Sequence, residues 1–102
     1  MERRASWQVI MDLTESMQHA AVNGLWEEVI QTEKQRQDLI SSFFKISPTE
    51  EEAQWLGSGI IHLLEQDKKI MSLGKSDLEK IGQEISSVRR GQIAKTAYQV
   101  PV

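Results

Sequence analysis

The sequence predicts an all-α fold: an antiparallel helical hairpin packed on a long third helix, with a short C-terminal tail. Three observations predict it. Apolar residues recur at steps of three and four along the 102 residues, and no window alternates at period two. Only two prolines occur, Pro48 and Pro101, and neither interrupts a periodic stretch. A break at Asn23–Gly24 and another at residues 45–50 divide the pattern into three segments.

The first segment sets Trp7, Ile10, Thr14, Met17 and Ala21 on one stripe, with Met11 and Leu13 beside it. It stops at Asn23–Gly24, a pair suited to the left-handed residue that ends many helices. The second segment repeats the pattern through Trp26, Val29, Glu33, Arg36, Ile40 and Phe43, widened by Leu25, Ile30, Leu39 and Phe44. So short a connection makes the two helices antiparallel neighbours. Trp7 and Trp26 read as core anchors, and Trp55, one turn into the third helix, as partly covered.

At the next boundary Ser47 suits an N-cap, Pro48 the first helical position, and Glu50 the closing residue of a capping box. From there the stripe reads Ile60, Leu64, Asp67, Met71, Gly74, Leu78, Ile81, Ile85 and Val88, alternating steps of four and three. That register predicts one long helix with a coiled-coil-like seam. The alternative is a four-helix bundle with a turn near Gly74, because Ser76 and Glu79 form a second candidate capping box. The single helix is preferred: a turn rarely preserves register, and a glycine inside a helix costs only about 1 kcal/mol.

A continuous helix would overhang the hairpin and carry Leu78, Ile81, Ile85 and Val88 on one side. Burying each aliphatic chain is worth roughly 1.5–3 kcal/mol, so the overhang implies a partner, either a second copy or a client helix. In the four-helix alternative the same residues are buried within the chain.

Little else points to chemistry. Cysteine is absent, and His19 and His62 stand far apart without a neighbouring ligand, so neither a metal site nor a thiol nucleophile is expected. The acidic runs Glu27-Glu28 and Glu50-Glu51-Glu52 fall in first helical turns, where they oppose the helix dipole. Leu73-Gly74-Lys75-Ser76 lacks the first glycine of a phosphate loop. With no cofactor motif and no nucleophile–base pair, the chain reads as a non-enzymatic single domain, residues 1–102, that binds proteins.

A net charge of −3 with scattered basic residues argues against nucleic acid as a direct partner. The pairs Arg3-Arg4, Lys68-Lys69 and Arg89-Arg90 read as solvated helix faces. Apolar runs of three or four residues are too short to span a membrane, and the N-terminus lacks the apolar core of a signal peptide, so a cytoplasmic protein is expected. The polar middle of the second helix is the remaining oddity. Glu33 and Arg36 lie on an apolar stripe, in the layer of Thr14. We read an internal Glu33–Arg36 pair that fixes helix register; the competing reading is a polar layer that receives a partner's charged group.

Several of these residues together resemble the FliT-like flagellar export chaperones. The carriers are Trp7, the hairpin turn Asn23-Gly24-Leu25-Trp26, Glu33 with Arg36, and the segment Arg89-Arg90-Gly91-Gln92-Ile93-Ala94-Lys95-Thr96-Ala97-Tyr98. The resemblance runs from Trp7 to Tyr98. It implies a long third helix and a chaperone that holds the flagellar filament cap protein in the cytosol before type III export. It further implies contacts with the export ATPase and with a flagellar master transcription regulator. The family's short regulatory helix is not expected within the four residues after Tyr98. Client binding would use Leu78, Ile81, Ile85 and Val88, with Arg89, Arg90 and Tyr98 at the rim, and a homodimer is expected. A constitutively dimeric coiled-coil adaptor with no exchangeable client is the alternative.

Overall fold

The computed structural model describes residues 2–99, with side chains as far as residue 83. It contains α1 (Arg3–Val22), α2 (Trp26–Phe43) and α3 (Glu50–Gln99), running up, down and up, and no strand among the described residues. The predicted hairpin and long third helix are both present. α3 is one helix of 50 residues, continuous through Gly74, which decides against the four-helix bundle.

The hairpin turn forms as its residues dictate. Gly24 takes φ +71°, the left-handed conformation, and the amides of Leu25 and Gly24 bond back to the carbonyls of Ala20 and Ala21. This is the Schellman arrangement, which satisfies carbonyls that the end of α1 would leave open. Asn23 adds a bond from Nδ2 to the carbonyl of His19.

The second boundary departs from expectation. The capping box sits two residues later: Thr49 Oγ1 accepts from the amide of Glu52, and the Glu52 carboxylate accepts from the amide of Thr49. Pro48 therefore precedes the cap and does not open the helix. Thr49-Glu50-Glu51-Glu52 has the same spacing as Ser47-Pro48-Thr49-Glu50, and its Glu52 is also held by Arg3 of α1, a tertiary contact that favours the later box.

Arg3 is no solvated charge. Its guanidinium bonds the Glu52 carboxylate at 2.7 Å and the carbonyls of Phe43 and Ile46, and lies 3.9 Å from the centre of the Phe43 ring. The start of α1 is thereby tied to the connection between α2 and α3. Arg4 lies 5.6 Å from the ring centre of half-buried Trp55.

The core has two apolar clusters. Trp7, Ile10, Phe43, Leu56 and Leu63 form one; Met17, Ala20, Ala21, Val29 and Ile70 form the other. Between them lies a polar layer with one residue from each helix. Arg36 makes a bidentate ion pair with Asp67, at 2.7 and 3.0 Å, and a 3.2 Å bond to Thr14 Oγ1. The predicted Glu33–Arg36 pair is not formed: the acid that Arg36 meets is Asp67 of α3, and Glu33 is exposed. Arg36 points inward at the level of Asp67, while Glu33 lies a turn away on the outer flank.

The buried seam of α3 is also rotated from the predicted stripe. Leu56, Leu63 and Ile70, seven apart, are buried, whereas Leu64 and Met71 are 59% and 74% exposed. In and beside α2, Leu25, Ile30, Leu39 and Phe44 are exposed, although Phe44 still meets the core rings of Trp7 and Phe43 edge-on. α1 is the central helix: its backbone approaches both partners, while α2 and α3 meet through side chains alone.

Candidate protein-docking site

Two glycines of α3 receive tryptophans. Trp7 lies so close to Gly59 that a methyl there would overlap indole Nε1. Trp26, the first residue of α2, lies over Gly74, where a methyl would touch Cη2 at 3.4 Å. The Trp26 indole N–H donates to Asp77 Oδ2 at 2.8 Å, which fixes the ring across α3. Gly74 thus lies beneath the Trp26 ring inside an unbroken helix and marks no turn.

Just past that contact the hairpin ends and α3 continues. Trp26, Gly74, Asp77, Leu78 and Ile81 line a cleft there. Trp26 is half-buried: one side packs against the second core cluster, as its sequence suggests, and it also forms the cleft's wall. Leu78 and Ile81 are 71% and 48% exposed, so the structure brings together these two predicted binding residues and leaves them uncovered. Ile85, Val88, Arg89, Arg90 and Tyr98 belong to the last part of α3 and lie outside the residues whose side chains are described.

The uncovered apolar face extends further back than predicted. Leu64, Met71 and Leu78 are seven residues apart and exposed, so they form one row along α3. They fall on the flank shared with Asp67 and Gly74, the two α3 positions that meet α2 side chains. Ile30, one turn along α2 from Trp26, is also exposed, beside a gap between the α2 and α3 backbones. The exposed row leads to the Trp26 cleft at the end of the hairpin, and row and cleft together are the candidate docking groove. Leu64 and Met71 belong to the stripe predicted as the seam, but a second apolar row one residue away takes the core in its place. Leu56, Leu63 and Ile70 were the signal of the winning row.

Such a groove offers no converging nucleophile or base; it offers exposed aliphatic surface at heptad spacing, suited to laying in another helix or extended segment. The described residues form an all-helical fold with an exposed apolar row on α3. A scan against protein families matches residues 4–100 to the family described as Flagellar protein FliT. The chain belongs to the FliT family, a family of flagellar export chaperones. Neither the curated proteins nor the solved structures searched gave a match. No helix among the described residues is long and apolar enough to cross a membrane.

Proposed function

We propose that this protein is a cytosolic chaperone for the flagellar filament cap protein, and that it holds a segment of that client along the α2–α3 groove before type III export. The observation that carries this reading is the uncovered row Leu64, Met71, Leu78 and Ile81 in a chain of this family. An apolar face of this extent is stabilised by occupation. Ile85 and Val88 continue the spacing, and Arg89, Arg90 and Tyr98 supply rim contacts. The export ATPase and a flagellar transcription regulator are secondary partners, and a homodimer through the same face is the client-free form.

The test is the double substitution Leu78→Ser/Ile81→Ser, with binding of the cap protein measured by calorimetry. Both residues are exposed, so helicity and thermal midpoint should stay near those of the parent. Affinity should fall at least a hundredfold, since two aliphatic anchors contribute roughly 3–6 kcal/mol together. Unchanged affinity would remove the groove from client binding. A permanent dimer indifferent to the cap protein would mark a structural adaptor instead.

A further inference from the structure

The sequence holds four methionines, and the fold treats Met11, Met17 and Met71 in three different ways. Met17 is 3% exposed inside the second core cluster, and Met11 is half-buried against the first. Met71 is 74% exposed, the most open large apolar side chain among the described residues. Its neighbours on the helix surface give the thioether little cover. Asp67, four residues before it, is engaged by Arg36, and Gly74, three residues after it, has no side chain. Lys68 and Lys75 are exposed. Met71 is nonetheless the centre of the apolar row, seven residues from Leu64 and seven from Leu78. A sulfur open to small solutes therefore sits where docking needs an apolar surface.

We propose that Met71 is a site of reversible oxidation, and that its sulfoxide weakens docking on the α3 row. The proposal rests on the docking reading above and adds a chemical control to it. The oxidant is hydrogen peroxide. The thioether sulfur attacks one peroxide oxygen with a lone pair, and the O–O bond breaks. The proton on the transferred oxygen passes to the departing hydroxide, which leaves as water. Sulfur is oxidised by two electrons and the peroxide is reduced by two. A dithiol reductase reverses the change: two thiols become a disulfide, and the sulfoxide oxygen leaves as water. The sulfoxide puts a polar acceptor where a soft apolar atom stood. An apolar segment laid over that oxygen strips it of water and offers no donor in return, so only the bound state is penalised.

Dilute hydrogen peroxide on the full chain, followed by tryptic mass spectrometry, tests the first half. Met71 falls alone in the peptide 70–75, whereas Met11 and Met17 share the peptide 5–34. The peptide 70–75 should gain one oxygen before the other does. Affinity of the oxidised chain for the filament cap protein, measured by calorimetry, should fall at least about fivefold with helicity unchanged. Met71→Leu keeps an apolar side chain at an exposed position and should hold its affinity through the same treatment. Methionine sulfoxide reductase with dithiothreitol should restore the parent. Oxidation of Met11 or Met17 ahead of Met71, an equal loss in Met71→Leu, or a loss that outlasts reduction of the sulfoxide would overturn the proposal. Unchanged affinity once Met71 is oxidised would overturn it too, and Leu78→Ser/Ile81→Ser then decides the docking reading. Weaker binding by that variant would leave the row as the docking site; binding equal to the parent's would overturn both.

Discussion

Gly59 and Gly74 are the same residue type in the same helix, yet their substitution by alanine should have opposite effects. Alanine favours a helix interior by about 1 kcal/mol over glycine. At Gly74 the new methyl meets Trp26 at ordinary contact distance, so Gly74→Ala should raise the thermal midpoint. At Gly59 the methyl would overlap the buried Trp7 indole, and overpacking of this kind costs about 1–3 kcal/mol, so Gly59→Ala should lower it. A lower midpoint for both variants would show that Trp26 is seated more tightly than described.

The polar layer gives a second contrast. Asp67→Ala leaves the buried Arg36 guanidinium without its bidentate acceptor. The cost should be about 2–3 kcal/mol by denaturant unfolding, below that of a fully enclosed pair because Asp67 is 28% exposed. Glu33→Ala should change stability by no more than about 0.5 kcal/mol, because Glu33 is exposed. A loss at Glu33 equal to that at Asp67 would move the acid partner back to α2.

At the scale of elements, the start of α3 depends on Thr49 and Glu52. Thr49→Ala should cost about 1 kcal/mol, whereas Ser47→Ala, outside the box, should be silent. The same box makes stability sensitive to acid. The amide of Thr49, and then the Arg3 guanidinium, hold the Glu52 carboxyl below its ordinary 4.5. A lowered folded value means the contribution is complete above the unfolded value and is lost as pH falls through the folded one. In thermal unfolding followed below about pH 4.5, Glu52→Gln should therefore show a shallower decline than the parent; parallel declines would exclude Glu52 as a source of acid sensitivity.

How far these elements were legible in the sequence follows from what fixes each one. Local chemistry fixed the hairpin turn, and Asn23–Gly24 was read correctly because only one conformation there frees the chain to reverse. The stripe of α1 was legible because α1 is the central helix, so its apolar residues have nowhere else to go. α3 was harder. It packs on one side only, and its apolar residues divide between a buried row through Leu63 and an exposed row through Leu64. Periodicity counts both equally. The partner of Arg36 could not be read from spacing within one helix, since Asp67 is brought to it only by docking of α3.

The whole molecule is a rod, 78 × 21 × 19 Å, with a radius of gyration of 21.3 Å. A compact chain of this length would have a radius of roughly 13 Å. The length is that of α3 itself, about 75 Å at 1.5 Å per residue, of which about 33 Å lies beyond Asp77. X-ray scattering from the monomer should give a radius close to 21 Å; a value near 14 Å would mean that the end of α3 folds back.

Because α1 alone holds both other helices by backbone approach, the rod has a keystone and two wings. Losing α2 from α1 strips one side of the core, and losing α3 strips the other, but neither wing rests on the other's backbone. Amide hydrogen exchange should therefore be slowest between Ile10 and Ala21, intermediate in α2, and fastest in α3 past Asp77. With the salt link Arg36–Asp67 as the main strap between the wings, Asp67→Ala should speed exchange in both α2 and α3 while the centre of α1 follows only the loss of global stability.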